Sequence, residues 1–222
     1  DAIRCADHVV DMGIGAGVAL SGTLVPLLLQ QGLRQTWLGL GALSLLLTIA
    51  AWRGWPHDNA SHSASAQHAA HLPKRWTLRA LYAEYALNAA GWVPHMIFLV
   101  DFVARGLGSG LQVGAEYWVL FGIGAVLGPL VSGQIADRIG FAATLRLAFV
   151  IQAIAVLIPA FDPNAVALML SSFVVGAFTP GIVPIVLGRV HELLPHAPAQ
   201  QKAAWSRATT SVGVLQAATL EQ

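Results

Sequence analysis

The feature that most constrains this chain is its alternation of apolar stretches of about 20 residues with short charged breaks. A helix of that length spans roughly 30 Å, the thickness of the hydrocarbon core of a bilayer. Lipid offers no water to backbone N–H and C=O groups, so only helices and closed barrels cross it. Barrel strands would appear as alternating segments of about ten residues, and the sequence has none. The expected fold class is therefore an all-α membrane protein. Composition agrees, with 56% hydrophobic and 10% charged residues, against about 25% charge in a soluble domain.

Spans are expected near 11–31, 36–55, 77–101, 115–136, 141–161 and 164–188, with a seventh beginning near 206 and cut short. That makes six full transmembrane helices and a truncated seventh. The chain opens at Asp1 and stops at Gln222 inside an apolar pattern, so both ends read as cuts. The widest polar gap, 56–76, contains Asn59, Ser61, Ser63, Ser65, Gln67 and four histidines, a composition suited to a flexible linker between helical bundles. Cys5 is the only cysteine, which excludes an internal disulfide.

Assigning successive breaks alternately to the two membrane faces tests this span count. One face receives Arg4, Arg53, Lys74, Arg75, Arg79, Arg138, Arg146, Arg189, Lys202 and Arg207, and the other only Arg34 and Arg105. A missed or invented span would scramble that asymmetry. The positive-inside rule makes the basic face, and with it the 56–76 linker, cytoplasmic. The net charge of +1, with basic residues spread along the chain, gives no footprint for nucleic acid.

Glycines recur within the spans, and Gly13 with Gly17 and Gly124 with Gly128 form GxxxG pairs, expected to let helix backbones approach closely. No strand precedes either pair, so neither reads as a dinucleotide fingerprint.

The segment Gly133-Gln134-Ile135-Ala136-Asp137-Arg138-Ile139-Gly140 is expected in a short cytoplasmic loop. Gly would allow the reversal, and Asp137 would accept hydrogen bonds from a neighbouring helix N-terminus. This segment resembles the loop signature of the major facilitator superfamily, G-x-L-A-D-R-x-G. The basic residues that usually follow are replaced by Phe141, Ala142 and Ala143, as in the weaker second copy of that signature after helix 8. Residues 13–26, 36–52 and the run Val93-Pro94-His95-Met96-Ile97-Phe98-Leu99-Val100-Asp101 resemble the bacterial YbfB/YjiJ branch. The resemblance implies helices 5 to 11 of that fold. Residues 1–55 would be the last two helices of the N-terminal bundle and 77–222 an incomplete C-terminal bundle, in a bacterial inner membrane. It also implies that Gly133, Asp137, Arg138 and Gly140 belong to a conformational gate.

A charge near the bilayer centre costs about 2.5 to 3.5 kcal/mol and normally faces a cavity or a partner. At roughly 100° per residue, Glu84, Asn88, Gly91 and His95 fall on one stripe of the third span, with Trp92 beside it. A water-filled substrate or proton pathway explains such a stripe, and the resemblance would make this span the cavity-lining helix 7. The alternative is that His95 is a satisfied packing residue and Glu84 pairs near the interface. Asp101 is expected to pair with Arg105, four residues on. Pro94, Pro180 and Pro184 would each free a carbonyl and bend a helix, as hinges or simply for packing. Ser171, Ser172 and Thr179 are weaker polar candidates.

His57, His62, His68 and His71 match no compact metal spacing, so no metal is expected. The chain carries no GxSxG elbow, HExxH or P-loop, which argues against an enzyme or an ATP-driven pump, and no cofactor is expected. The leading expectation is a secondary transporter that moves a small solute by alternating access, with a proton gradient as energy source. A non-transporting receptor or assembly subunit on the same fold is the alternative. Expected partners are the lipid bilayer, a small-molecule solute and a coupling proton.

Overall fold

A computed structural model describes residues 2–52, 75–195 and 197–220, with side chains described for 13–50, 76–195 and 197–219. Every element is helical. In chain order they are α1 (Ala2–Leu29), α2 (Leu33–Trp52), α3 (Arg75–Asp101), α4 (Leu111–Ile139), α5 (Phe141–Phe161), α6 (Ala165–Leu193) and α7 (Pro198–Leu220). Among the described residues, five stretches are long and apolar enough to cross a membrane: Leu33–Ala50, Trp76–Gly106, Leu111–Ile139, Phe141–Phe161 and Ala165–Leu193.

Helix α5 matches its expected span, 141–161, while α1, α2, α3 and α4 start earlier than expected and α6 ends later, because hydropathy marks the stretch within lipid, whereas a helix continues into the headgroups. The last helix starts at Pro198 instead of near 206, since Gln200, Gln201 and Lys202 are polar but still helical. The third continues past Asp101 through a π-helical turn, Phe102–Gly106. Leu107 N–H closes that turn on the Phe102 carbonyl at 2.8 Å. Gly108 and Gly110, at φ +68° and +85°, then turn the chain into α4, a conformation that glycine adopts without strain. The four linker histidines and residues 56–74 of the expected linker lie outside the described residues, and its last two positions, Arg75 and Trp76, already belong to α3.

Successive helices reverse direction, so the α1–α2 and α3–α4 turns, with Arg34 and Arg105, lie on one side, and the α4–α5 and α6–α7 turns on the other. Asp101 pairs with Arg105 at 3.2 Å, as the spacing predicts. Both side chains are largely exposed, so Asp101→Asn is expected to change thermal stability by no more than about 0.5 kcal/mol in a detergent melt.

Helix α4 is the centre of the packing, with α6 along one face and α1 along another. Small residues permit this. A Cβ added at Gly124 would collide with the Phe173 carbonyl, at Gly128 with the Ala177 carbonyl, and at Gly176 with the Phe121 carbonyl. Two hydroxyls stitch the same seam: Ser132 Oγ donates to the Gly181 carbonyl at 2.8 Å and Ser172 Oγ to the Tyr117 carbonyl at 2.5 Å. The expected role of Gly124 and Gly128 therefore holds. The expected role of Gly13 and Gly17 does not, because nothing lies within 4 Å of a Cβ at either. Helix α1 instead meets α4 through Gly15, Ala19 and Gly22, opposite Ala125, Gly122 and Val119. Those three share one face at i, i+4 and i+7, whereas Gly13 and Gly17 lie round the helix from it.

The outer surface is apolar along its length. Leu38, Leu45, Leu46, Leu47 and Ile49 of α2, Leu87 and Phe98 of α3, and Val150, Ile154 and Leu157 of α5 are exposed. Monomers in water rarely expose contiguous apolar patches above a few hundred Å². Trp37 and Trp76 stand exposed at helix ends on opposite sides, where aromatic belts meet the headgroups. This surface is built to face lipid.

Candidate functional site

The polar stripe of α3 runs along the edge of the helix's buried face. Tyr85, Ala89 and Val93 define that face, and Glu84 and Gly91 lie just outside it, exposed. Asn88 and His95 sit at the border, half-buried, and Trp92 turns inward against Phe121, Ala155 and Val175. Residues that the helical period put together are thus divided: Glu84 has no hydrogen-bond or ion-pair partner among the described residues, while Asn88 and His95 reach neighbouring helices.

Asn88 Nδ2 donates to Gln152 Oε1 of α5 at 2.8 Å. Gln152 is 1% exposed, and it is the one amide of α5, near its middle and flanked on both sides by apolar residues. The sequence reading missed it, although a lone glutamine at mid-span is itself a signal, since an amide in lipid must find a partner. After this single bond Asn88 Oδ1 and Gln152 Nε2 remain buried without a partner. Removing one partner of a buried polar pair leaves the other unsatisfied, at about 1–3 kcal/mol, whereas removing both is close to neutral. Gln152→Leu is therefore expected to destabilise the protein by that amount, and Asn88→Leu with Gln152→Leu to recover most of it. A double-mutant cycle on melting in detergent reads the coupling, and strictly additive losses would show that the pair does not interact.

Two helical turns along α3, His95 Nε2 lies 2.8 Å from Ser171 Oγ of α6. Ser171 is fully buried and its Oγ lies 2.6 Å from the carbonyl oxygen of Ala155 in α5. His95 Nδ1 is buried and unpartnered. Helices α3, α5 and α6 are thus joined by two polar nodes, which leave three polar atoms open. Ser172 bonds the Tyr117 carbonyl and Thr179 that of Val175 in its own helix, so both are occupied structurally.

Beside these nodes, a largely apolar cleft of about 320 Å³ opens between α1, α3 and α4, lined by Ser21, Pro26, Met96 and Trp118 among others. Trp118 Nε1 donates to Ser21 Oγ at 3.0 Å and its ring stacks on Phe121 at 5.1 Å. Ile97, Val100 and Leu111 carry the cleft into a second one of about 370 Å³ beside Asp101 and Arg105. Neither Ser21 nor Trp118 stands out in the sequence, because each matters only through a neighbour on another helix.

The signature segment needs a correction. Gly133 to Ile139 are the last turns of α4, and the reversal falls on Gly140 alone, at φ +83°. Asp137 and Arg138 are exposed in that final turn, and Asp137 accepts no hydrogen bond from a neighbouring helix among the described residues. A single glycine in the positive-φ region suffices to turn α4 directly into α5, so no loop is needed. Phe141 lies where a basic residue was awaited, its ring filling the space that a Cβ on Gly188 of α6 would need. The hinge candidates Pro94, Pro180 and Pro184 all sit inside continuous helices, as do Pro26, Pro129 and Pro159.

A polytopic bundle of long apolar helices is the architecture of an integral membrane protein. The family follows: the model described as the uncharacterised MFS-type transporter YbfB matches residues 7–220, and the chain belongs to that family. It is a multi-pass membrane protein whose general function is membrane transport. No curated protein and no solved structure matches the chain.

Proposed function

We propose that the protein is a secondary transporter that moves a small solute by alternating access, with a proton as coupling ion. The observation that carries this reading is the pair of nodes on α3: Asn88 with Gln152 and His95 with Ser171 place three unpartnered polar atoms inside helices otherwise built for lipid. Unsatisfied polar groups in hydrocarbon are costly, and their retention in a membrane span marks function. His95 is the one titratable group of the two nodes, which makes it the candidate for a coupling proton. Glu84, exposed toward the end of the same stripe, supplies a second proton-carrying group along the path. Pro94, one residue before His95, removes a helical hydrogen bond at the node and favours bending there, and Pro180 and Pro184 do the same in α6.

In this reading the basic face and the 56–76 segment are cytoplasmic, residues 1–55 belong to one bundle and 77–222 to the other, and the membrane is a bacterial inner membrane. The α1–α4 contact then joins the two bundles, and the exposed Asp137 and Arg138 at the α4–α5 reversal act at the cytoplasmic gate. Uptake of a broad metabolite and drug panel into proteoliposomes under an imposed pH gradient tests it. Flux that follows the gradient and collapses with a protonophore is expected. Folded protein that moves no solute under any gradient would overturn the reading.

A further inference from the structure

We infer that Ser171 determines which nitrogen of His95 is left as the unpartnered acceptor, through a carbonyl that Pro159 deprives of its helical partner; this rests on the transport reading of His95. In α5 the carbonyl of Ala155 would accept the N–H of residue 159, but that residue is proline and has none. The buried carbonyl must be satisfied from elsewhere. Ser171 Oγ does so from α6 at 2.6 Å.

A serine hydroxyl has a single proton. With that proton on the Ala155 carbonyl, Ser171 offers only a lone pair to the nitrogen 2.8 Å away, so His95 must present Nε2–H there. The reverse arrangement would leave two oxygens facing each other at 2.6 Å with no hydrogen between them. Neutral imidazole carries one N–H, so Nδ1 is its acceptor, and this is the atom that is buried without a partner. Proline, serine and histidine, one from each of three helices, form a relay that presents Nδ1 to the proton or to a donor group of the solute. Ser171 is a positioning residue in this scheme. Pro159 sets it in place from a helix that the stripe on α3 does not include.

The test is the ¹⁵N spectrum of histidine-labelled full chain in lipid nanodiscs at alkaline pH, with His95 assigned by subtraction of His95→Gln. The expected wild-type signal is the Nε2–H tautomer. Ser171→Ala should mix the tautomers and reduce solute flux several-fold, and Ser171→Thr, which keeps the hydroxyl, should restore both. Pro159→Ala returns an N–H to the Ala155 carbonyl and should loosen the tautomer bias without touching either side chain of the node. An Nδ1–H signal in the wild type, or an unchanged tautomer in folded Ser171→Ala or Pro159→Ala protein, would overturn the inference. A tautomer that shifts as expected while His95→Ala transports at the wild-type rate would sink the transport role of His95 and leave the Ser171 device standing.

Discussion

Gly128→Ala is expected to destabilise the protein by about 3 kcal/mol, the upper end of the usual cost of overpacking, and Gly128→Leu to prevent the helices from assembling. The added Cβ would overlap the carbonyl oxygen of Ala177 on α6. A flexible side chain could move aside, but backbone can yield only by separating the two helices. Separation would also stretch the nearby bonds from Ser132 to the Gly181 carbonyl and from Ser172 to the Tyr117 carbonyl. The control is Gly213→Ala in α7, where nothing lies within 4 Å of the new atom. Alanine is the better helix former by about 1 kcal/mol, so this variant should be neutral or slightly stabilised. Thermal melting of both in the same detergent reads the contrast. Equal melting midpoints would show that α4 and α6 do not approach as closely as the structure places them.

The second large effect is functional. His95→Ala should lower gradient-driven flux by at least about tenfold, equivalent to about 1.4 kcal/mol in the limiting step, while melting shifts far less than for Gly128→Ala. The substitution removes the imidazole ring and its unpartnered Nδ1, and frees Ser171 Oγ to keep only the Ala155 carbonyl. Glu84→Gln, at an exposed position, should reduce flux less and leave stability unchanged. A proteoliposome assay with an imposed pH gradient measures both. Full flux in His95→Ala would remove this residue from the mechanism, and a fall matched by loss of folded protein would assign it to packing.

Glycine shows where the sequence was informative and where it was not. Gly124 and Gly128 lie against α6 as their spacing suggests, but the same spacing at Gly13 and Gly17 faces open space, and Gly15 with Gly22 makes the contact. A GxxxG pair states that close approach is possible on one face. Which face has a neighbour depends on the other helices. The stripe on α3 behaves similarly: its members share an arc of the helix, yet Glu84 is exposed while Asn88 and His95 are bonded to different helices.

The sequence by itself determined the class. Stretches long enough to span lipid, with almost no charge inside them, leave the backbone no choice but the helix, and the asymmetry of Lys and Arg counts the reversals. Asp101 with Arg105 was also legible, because four residues along one helix is a local distance. Only the tertiary structure decided the partners: Gln152 for Asn88, Ser171 for His95, and Ser171 again for the carbonyl that Pro159 leaves free. Those groups lie on different helices, 16 to 76 residues apart in the chain, and helical periodicity fixes directions around one axis but not which axes lie side by side.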